Sequence, residues 1–309
     1  MSRPAEGRSD TPVLITMGEP SGIGPEVAAK AWSLLGGHCS RRPLRLVGDP
    51  ASFRMYSDVP DGAFWPIEGE HDGRIVIAAI DAAVNAAVDG RAGAVVTAPI
   101  QKSKLLEAGF PFAGHTEYLA KRTGASRAVM MLTGAGLRVV PLTTHIPIAE
   151  VAGKISQEGV VETAEIILAA LRSDFLLERP RLAISGLNPH AGEAGTLGSE
   201  EVEIIRPAIE ELRRKGYSVS GPLPADTMFH AEARSQYDAA LCMFHDQALI
   251  PLKTLAFWDG VNITLGLPIV RTSPDHGTAP DIAGQNKADP RSMIAAIRMA
   301  AVLADARNL

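Results

Sequence analysis

Segments with the pattern of β-strands alternate with segments with the pattern of α-helices along almost the whole chain. The run VLITM at residues 13–17 leads into the helix-like PEVAAKAWSLL, and further strand-like runs include PLRLVGD, AGAVVTAP, RLAISGL and DAALCMF. Such alternation predicts an α/β fold with a mostly parallel sheet and helices on both faces. The length of 309 residues indicates two domains or one large α/β unit.

No linker, internal repeat or low-complexity tract marks a domain boundary. We expect residues 1–11, MSRPAEGRSDT, to form a disordered polar leader and residues 12–309 to form a single two-lobed unit. The middle of the chain is expected to build one lobe. The two ends of the chain are expected to build the other.

Composition and charge exclude several classes of protein. A net charge of −5, without a cluster of Lys and Arg between aromatic residues, argues against a nucleic-acid partner. No apolar run reaches the roughly 18 residues of a membrane helix, and the polar start lacks the core of a signal peptide. Cys39 and Cys242 lie far apart and outside any CxxC pattern. We therefore expect a soluble, cytoplasmic protein without a disulfide scaffold or a thiolate zinc site.

A glycine-rich turn, GEPSGIGPEV at residues 18–27, joins the first predicted strand to the first predicted helix. Turns of this kind often bind phosphate at the helix N-terminus. The run GIGPEV departs from GxGxxG, because Val27 stands where the last glycine or alanine would be, and no GxxxxGK[ST] loop occurs. We interpret the stretch as a tight corner with Pro25 at the first helical position.

Six of the eight histidines lie in polar clusters. His145, His190 and His245 each come at or just after a strand-like run, and ligands of open α/β sheets bind beyond the carboxyl ends of the strands. Three imidazoles on one rim would suit a divalent ion such as zinc. The alternative is that each is an ordinary capping or solvated histidine.

Two acids are the best placed to join such a site. They are Asp226 in GPLPADTMF and Asp246 in FHDQ. A carboxylate beside a metal can orient a ligand histidine or accept a proton. Each acid could instead cap a helix, because DTMF and HDQA both resemble helix starts.

Cationic and hydroxyl side chains indicate an anionic substrate. Lys253, Asn262 and Arg271 follow the last of the three histidines closely, and Thr116 stands beside His115. Arg suits planar oxyanions and Lys acts as a point charge, whereas a hydroxyl donor suits phosphate. The alternative is that Lys253 and Arg271 are surface residues, but Arg271 lies between the apolar GLPIV and TSPDHG.

Several long blocks together resemble one enzyme family. In chain order they are GEPSGIGPEV, GHTEYLA, TTHIP, GLNPHAGEAGTLGSEE, GPLPADTMF, FHDQALIPLKTL, GVNITLGLPIVRTSPDHGTAPDIAG and KADPRS. From about residue 12 to the end, the chain resembles the 4-hydroxythreonine-4-phosphate dehydrogenases of vitamin B6 biosynthesis. The first block and HGTAPDIAG also resemble the wider group of isocitrate and isopropylmalate dehydrogenases. The resemblance implies their α/β fold, with mostly parallel sheets flanked by helices and two lobes with a cleft between them.

The resemblance further implies roles for individual residues. The three metal-binding histidines of the family match His145, His190 and His245, and one of the three comes from the partner subunit of a homodimer. The substrate contacts match His115, Thr116, Lys253, Asn262 and Arg271. The loop for the adenosine half of NAD or NADP matches DHGTAPDIAG, which makes Asp275, His276, Gly277, Thr278 and Asp281 cofactor candidates. Three imidazoles favour zinc as the single metal of each site over magnesium, manganese or cobalt.

The activity implied by the resemblance is a metal-dependent, NAD- or NADP-linked oxidation. The small phosphorylated substrate 4-phosphooxy-L-threonine becomes 2-amino-3-oxo-4-phosphooxybutanoate, which decarboxylates to 3-amino-2-oxopropyl phosphate on the way to pyridoxal phosphate. Asp226 or Asp246 would act as the base. One alternative is a related dehydrogenase of threonate or erythronate 4-phosphate, or of an aromatic-acid dihydrodiol, with the same histidines. The other alternative is a non-catalytic protein of this fold that binds metal or phosphate.

Overall fold

The computed structural model describes residues 10–67, 74–101 and 115–308, and for His115 it describes only the backbone. The chain divides into two compact units, the first formed by Met1–Ala128 with Trp258–Leu309 and the second by Val129–Phe257. Most of the expected leader, residues 1–9, lies outside the described residues. Thr11 accepts hydrogen bonds from the Arg42 guanidinium through its carbonyl and hydroxyl oxygens, so it is held by the first unit and is not part of a disordered leader.

The first unit contains strands in the order β2-β3-β1-β4-β11-β10. These strands are β1 Val13–Thr16, β2 His38–Cys39, β3 Arg42–Val47, β4 Ala94–Thr97, β10 Val261–Leu265 and β11 Arg271–Pro274. The pairs β1–β3, β1–β4 and β4–β11 are parallel, whereas β2–β3 and β10–β11 are antiparallel. Every residue of β1 is buried, as is usual for a parallel strand covered on both faces.

Helices of the first unit pack on this sheet. They are Gly24–Leu34, Pro50–Arg54, Ile75–Val88, His115–Thr123 and Arg291–Arg307, with 3-10 turns Asp61–Ala63 and Pro280–Ile282. The helix Ile75–Val88 buries Val76, Ile80 and Val84, which recur every four residues and so lie on one face. This face contributes to a core cluster that also contains Leu14 of β1.

The second unit contains strands in the order β5-β6-β9-β7-β8. These strands are β5 Val129–Gly134, β6 Leu137–Thr143, β7 Arg181–Ser185, β8 Ser218–Leu223 and β9 Ala239–Phe244. β5 and β6 form an antiparallel hairpin, and the other pairs, β6–β9, β9–β7 and β7–β8, are parallel. The carboxyl ends of β6, β9 and β7 therefore meet at one edge of the sheet.

The helices of the second unit are Val151–Lys154, Gln157–Ser173, Arg206–Arg214, Ala231–Arg234 and His245–Leu255. Three 3-10 turns, Ile148–Glu150, Pro189–Gly195 and Ala225–Thr227, and a π-helical turn, Glu201–Ile205, complete it. The sequence pattern by itself predicts a single helix from Glu200 to Lys215. The structure instead has the π-helical turn followed by an α-helix, because Pro207 lacks the N–H that a continuous α-helix would use.

The expected mostly parallel α/β architecture is confirmed. The stretch GVNITLGLPIVRTS, which reads as one strand-like segment, forms two antiparallel strands with Gly266 at a φ of 81° between them. In the described parts of the chain, no helix is both long and apolar enough to cross a membrane.

Candidate active site

His145 and His245 lie side by side because the strands before them are neighbours. β6 and β9 run parallel with Thr143 opposite Phe244, so the residues that follow the two strands emerge at the same edge. The centroids of the two imidazole rings are 5.7 Å apart, with 44° between the ring planes. Both rings border a pocket of about 240 Å³. The structure therefore brings two of the three candidate metal ligands to one site.

Asp246 orients the ring of its neighbour. Its Oδ1 lies 2.7 Å from Nδ1 of His245. With the proton on Nδ1, the ring donates to the carboxylate and keeps the Nε2 lone pair for a metal. This carboxylate–histidine arrangement is typical of zinc sites, so the donor set of His145 and His245 fits a divalent ion.

Neither candidate acid caps a helix, so the capping alternative is wrong for both. Asp226 is the second residue of the 3-10 turn Ala225–Thr227, whose N-cap is Pro224. Asp246 is the second residue of its helix, not the residue before it. Asp226 is exposed and does not line the pocket of the two histidines, whereas Asp246 does.

His190 is not joined to the histidine pair within one copy of the chain. It follows β7 in the turn Pro189–Gly195, where residues 190–194 all have left-handed φ angles between 43° and 74°. Across the described residues, no group of three or more His, Cys, Asp or Glu side chains is placed to hold a metal ion. A three-histidine site would therefore need His190 from another copy.

Gln247 connects the strand ends beside these histidines. Its Oε1 accepts hydrogen bonds from the N–H of Met243 at 2.7 Å and from the hydroxyl of Ser185 at 2.8 Å. Its Nε2 donates to the carbonyl of Gly186 at 2.9 Å. This residue was not among the candidates predicted from the sequence. The available signal was a polar side chain three residues after the end of a buried strand, in the same FHDQ block as a candidate ligand.

Lys253 lies about two turns beyond His245 on the same helix. The helix buries Ala248 and Leu252, and Lys253 itself is half-buried. Its Nζ lies 5.6 Å from the centroid of the Phe257 ring, a cation–π contact. Lys253 therefore places a positive charge on the helix that begins at His245.

Arg271 is buried in the first unit, so the interpretation as a surface residue is wrong. Its Nη1 donates to Thr264 Oγ1 at 2.8 Å, and its Nη2 donates to Thr97 Oγ1 at 2.5 Å. Burial lowers the pKa of the guanidinium to about 10, so the group is still charged at neutral pH.

Asn262, on the adjacent strand β10, has a buried Oδ1 with no hydrogen-bond partner in the described part of the chain. Such an acceptor fits a donor from a bound molecule.

The candidate cofactor loop follows β11. His276 Nδ1 lies 3.0 Å from the carbonyl oxygen of Gly277, and its Nε2 is buried without a partner among the residues described. Gly277 and Asp281 are exposed, and Thr278 is half-buried. The loop therefore combines an unused ring nitrogen with accessible polar groups.

The glycine-rich corner packs against this loop. The N–H of Ile23 donates to the carbonyl of Thr278 at 2.9 Å. A Cβ at Gly22 would lie 2.7 Å from the same oxygen, so a larger residue does not fit. The stretch is the predicted strand-to-helix turn, but the helix begins at Gly24, so Pro25 is its second residue and not its first.

His115 and Thr116 begin the helix His115–Thr123. Thr116 is half-buried, whereas the side chain of His115 lies outside what the structure describes. The substrate contacts expected of these two residues stay predictions.

A family model described as "Pyridoxal phosphate biosynthetic protein PdxA" matches residues 64–300. This chain belongs to the PdxA family. A 4-hydroxythreonine-4-phosphate dehydrogenase of Paracoccus denitrificans is 48% identical over 329 aligned positions, which cover 96% of this chain and 98% of that protein. The corresponding dehydrogenase of Maricaulis maris is 46% identical, with 96% and 98% covered.

Solved structures confirm the PdxA-family fold. The crystal structure of 4-hydroxythreonine-4-phosphate dehydrogenase from Klebsiella pneumoniae matches with a TM-score of 0.82 and 34% identity, over 95% of this chain and 99% of that chain. A terephthalate 1,2-cis-dihydrodiol dehydrogenase from Burkholderia xenovorans matches with a TM-score of 0.65 and 30% identity, over 94% and 98%. The dehydrogenases named for the phosphorylated substrate are thus the more similar in both sequence and fold.

Proposed function

We propose that this chain oxidises 4-phosphooxy-L-threonine with NAD or NADP in pyridoxal phosphate biosynthesis. The substrate hydroxyl loses a proton to a base and its carbon loses a hydride to the nicotinamide, which produces 2-amino-3-oxo-4-phosphooxybutanoate. Loss of carbon dioxide from this β-keto acid then produces 3-amino-2-oxopropyl phosphate. The observation that carries the proposal is the near full-length match to dehydrogenases named for this substrate.

His145 and His245, with His190 of the partner subunit, would hold one divalent ion, for which three imidazoles favour zinc. When bound, such an ion lowers the pKa of a coordinated hydroxyl and stabilises negative charge on oxygen. Asp246 fixes the ring of His245 and borders the same pocket. Of the two candidate acids, Asp246 is therefore the better placed to accept the proton.

The cationic residues would bind the substrate's phosphate and carboxylate. Arg271 keeps its charge and is held in place by two threonine hydroxyls, so its orientation is set before substrate arrives. Lys253 adds a second positive charge, and Thr116 and His115 are the further contacts expected from the family. In the loop that follows β11, His276 and its neighbours Asp275, Gly277, Thr278 and Asp281 would bind the adenosine half of the cofactor.

A homodimer would complete each site. The second unit exposes large apolar side chains close in sequence to the histidines and to Glu201, among them Ile148 at 70%, Val202 at 41%, Ile250 at 65% and Phe257 at 62%. Exposed apolar groups of this number favour burial against a second copy. We further propose that the dimer works in the cytoplasm, because both cysteines are unpaired.

The test is an assay panel with purified protein. Reduced nicotinamide absorbance is followed with NAD or NADP, with Zn²⁺, Mg²⁺, Mn²⁺ or Co²⁺, and with three substrates: 4-phosphooxy-L-threonine, erythronate 4-phosphate and a terephthalate dihydrodiol. We expect the highest kcat/KM with 4-phosphooxy-L-threonine. Faster turnover of either other substrate would assign the chain to that related activity, and no turnover of any would favour a binding protein.

A further inference from the structure

A buried carboxylate stands behind the segment that carries His190. Glu201 is fully buried at the start of the π-helical turn Glu201–Ile205. Its Oε1 accepts hydrogen bonds from the backbone N–H groups of Leu187 and Asn188, both at 2.7 Å. Its Oε2 accepts from the side-chain amide of Asn188 at 2.9 Å. Three donors from one short segment therefore converge on one side chain.

The segment is shaped around this carboxylate. A Cβ at Gly186 would lie 2.9 Å from Oε1 of Glu201, and a Cβ at Gly192 would lie 2.5 Å from Oε2. Only glycine leaves room at these two positions. The carboxylate thus touches the chain on both sides of His190, which is itself exposed.

The backbone between these contacts has an unfavourable conformation. His190, Ala191, Glu193 and Ala194 all have left-handed φ angles, which cost roughly 1–2 kcal/mol for each residue with a side chain. Such a conformation persists only where the surroundings impose it. Hydrogen bonds to an ionised, buried acceptor are stronger than bonds between neutral groups, so Glu201 is suited to impose it.

We propose that Glu201 is the positioning residue for His190: its carboxylate holds residues 187–192 in the conformation that presents the imidazole. The inference rests on the proposed function in one respect, that His190 is a metal ligand. Glu201 does not touch the metal, substrate or cofactor in this role and acts only through the backbone and Asn188.

The test compares Glu201→Gln and Glu201→Ala with two controls. Glu201→Gln removes the charge and can set an NH₂ group against the NH₂ of Asn188, whereas Glu201→Ala removes all three hydrogen bonds. Glu200→Gln changes the neighbouring half-buried acid, which accepts hydrogen bonds from the side-chain amide of Asn188 and from the backbone N–H groups of Ser199 and Glu200. Asp238→Asn weakens an ion pair with Arg181 before β9 in the same unit, away from the histidines.

Two measurements on the full-length protein separate positioning from general destabilisation. The first is the dissociation constant for Co²⁺, from its visible absorption. We expect about 10–100-fold weaker binding in both Glu201 variants, as for other residues that orient metal ligands. Glu200→Gln and Asp238→Asn should bind like the wild type. Unchanged Co²⁺ binding in both Glu201 variants would overturn the proposal.

The second measurement does not depend on metal. Glutamyl endopeptidase can cut after Glu193, which is exposed in the same segment. We expect cleavage there, identified by mass spectrometry, to be about tenfold faster in the Glu201 variants, because the segment loses charged hydrogen bonds. If the wild type binds no Co²⁺ but the Glu201 variants are cut faster, the metal site fails and the positioning role stands. Equal cleavage in all variants would contradict the positioning role itself.

Discussion

The buried carboxylate of Glu26 accepts a hydrogen bond from the backbone N–H of Ala288 at 2.7 Å. The same oxygen pairs with Lys30 at 2.7 Å, and the Lys30 ammonium also donates to the carbonyl oxygens of Asn286 and Ala288 at 3.1 Å. Together with the bond from Ile23 to the loop, these contacts hold both ends of the segment after β11. The glycine-rich corner is therefore a support for the candidate cofactor loop.

Glu26→Gln should weaken cofactor binding. The substitution keeps the shape of the side chain but removes the charge that holds Lys30 and strengthens the bond from Ala288. We expect the dissociation constant for NADH or NADPH, measured by fluorescence, to rise about tenfold, which corresponds to the loss of one hydrogen bond to a charged group. Asp305→Asn, which weakens the ion pair with Arg42 in the same unit, is the control and should bind cofactor normally. Equal cofactor affinity in wild type and Glu26→Gln would refute this role.

His190→Ala should abolish activity while leaving the circular dichroism spectrum and Tm close to those of the wild type, because the side chain is exposed. Full activity of metal-free His190→Ala would remove the metal from the mechanism.

Asp246→Asn should bind metal about 10–100-fold more weakly, since it no longer fixes the ring of His245 with a charged acceptor. Isothermal titration with Zn²⁺ measures this loss of affinity.

Mixing two inactive variants tests the shared site. If His190 comes from the partner subunit, a dimer of one His190→Ala chain and one His245→Ala chain has one intact site and one doubly damaged site. Half of the dimers are mixed after joint refolding of equal amounts, so about a quarter of wild-type activity should return. If all three histidines came from one chain, the mixture would remain inactive.

Both cysteine thiols should resist modification in the folded protein. Cys39 and Cys242 are buried, and burial raises the pKa of the Cys242 thiol to about 12, so almost no thiolate exists at pH 8. Ellman's reagent should therefore react slowly with native protein and with two thiols per chain after denaturation. The Cys39→Ser variant isolates the response of Cys242. Rapid reaction of that variant in its native state would contradict the burial of Cys242.

The ion pair of Asp238 and Arg181 should make stability depend on pH. Burial by itself raises the pKa of Asp238, but hydrogen bonds and charge from Arg181 outweigh it and lower the pKa below 3.8. A carboxyl whose pKa is lower in the folded than in the unfolded protein stabilises the folded state at pH values above the unfolded pKa. This stabilisation disappears as the pH falls through the folded pKa.

Asp238→Asn should therefore lower the free energy of unfolding at pH 7 by about 0.5–1 kcal/mol, a small value because the pair is partly exposed. The difference from the wild type should shrink as the pH falls below 3.8, in urea titrations at matched pH. A difference that does not change between pH 7 and pH 3 would show that the ion pair is not its cause.

Local patterns in the sequence predicted much of the fold. Buried apolar runs such as Val13–Thr16 and Ala239–Phe244 form strands. The segment Ile75–Val88, in which apolar residues recur every four positions, forms a helix. These predictions succeed because burial leaves a pattern in the sequence itself. Burial on one face leaves a periodic pattern, and burial on both faces leaves a continuous apolar run. The break in the helix predicted from Glu200 to Lys215 has a local cause, because Pro207 lacks an N–H. Nothing in the local sequence, however, specifies the π-helical turn before it.

The candidate site was predictable only as a set of residue types. Polar side chains directly after buried strands marked His145 and His245, and the buried position of Arg271 was indicated by its apolar neighbours. Glu201 and Gln247 were missed, because an acid or amide near the start of a helix usually faces solvent. Their importance depends on the strand ends and the turn that they contact.

The sequence by itself determined the α/β class and the family, and it identified the histidines as candidate ligands. Only the tertiary structure decided which of them meet. His145 and His245 are neighbours because the register of β6 and β9 sets Thr143 opposite Phe244, whereas His190 is carried on a turn held by Glu201. The physical reason is that strand order and register are fixed by contacts between residues far apart in the chain, which no local pattern records.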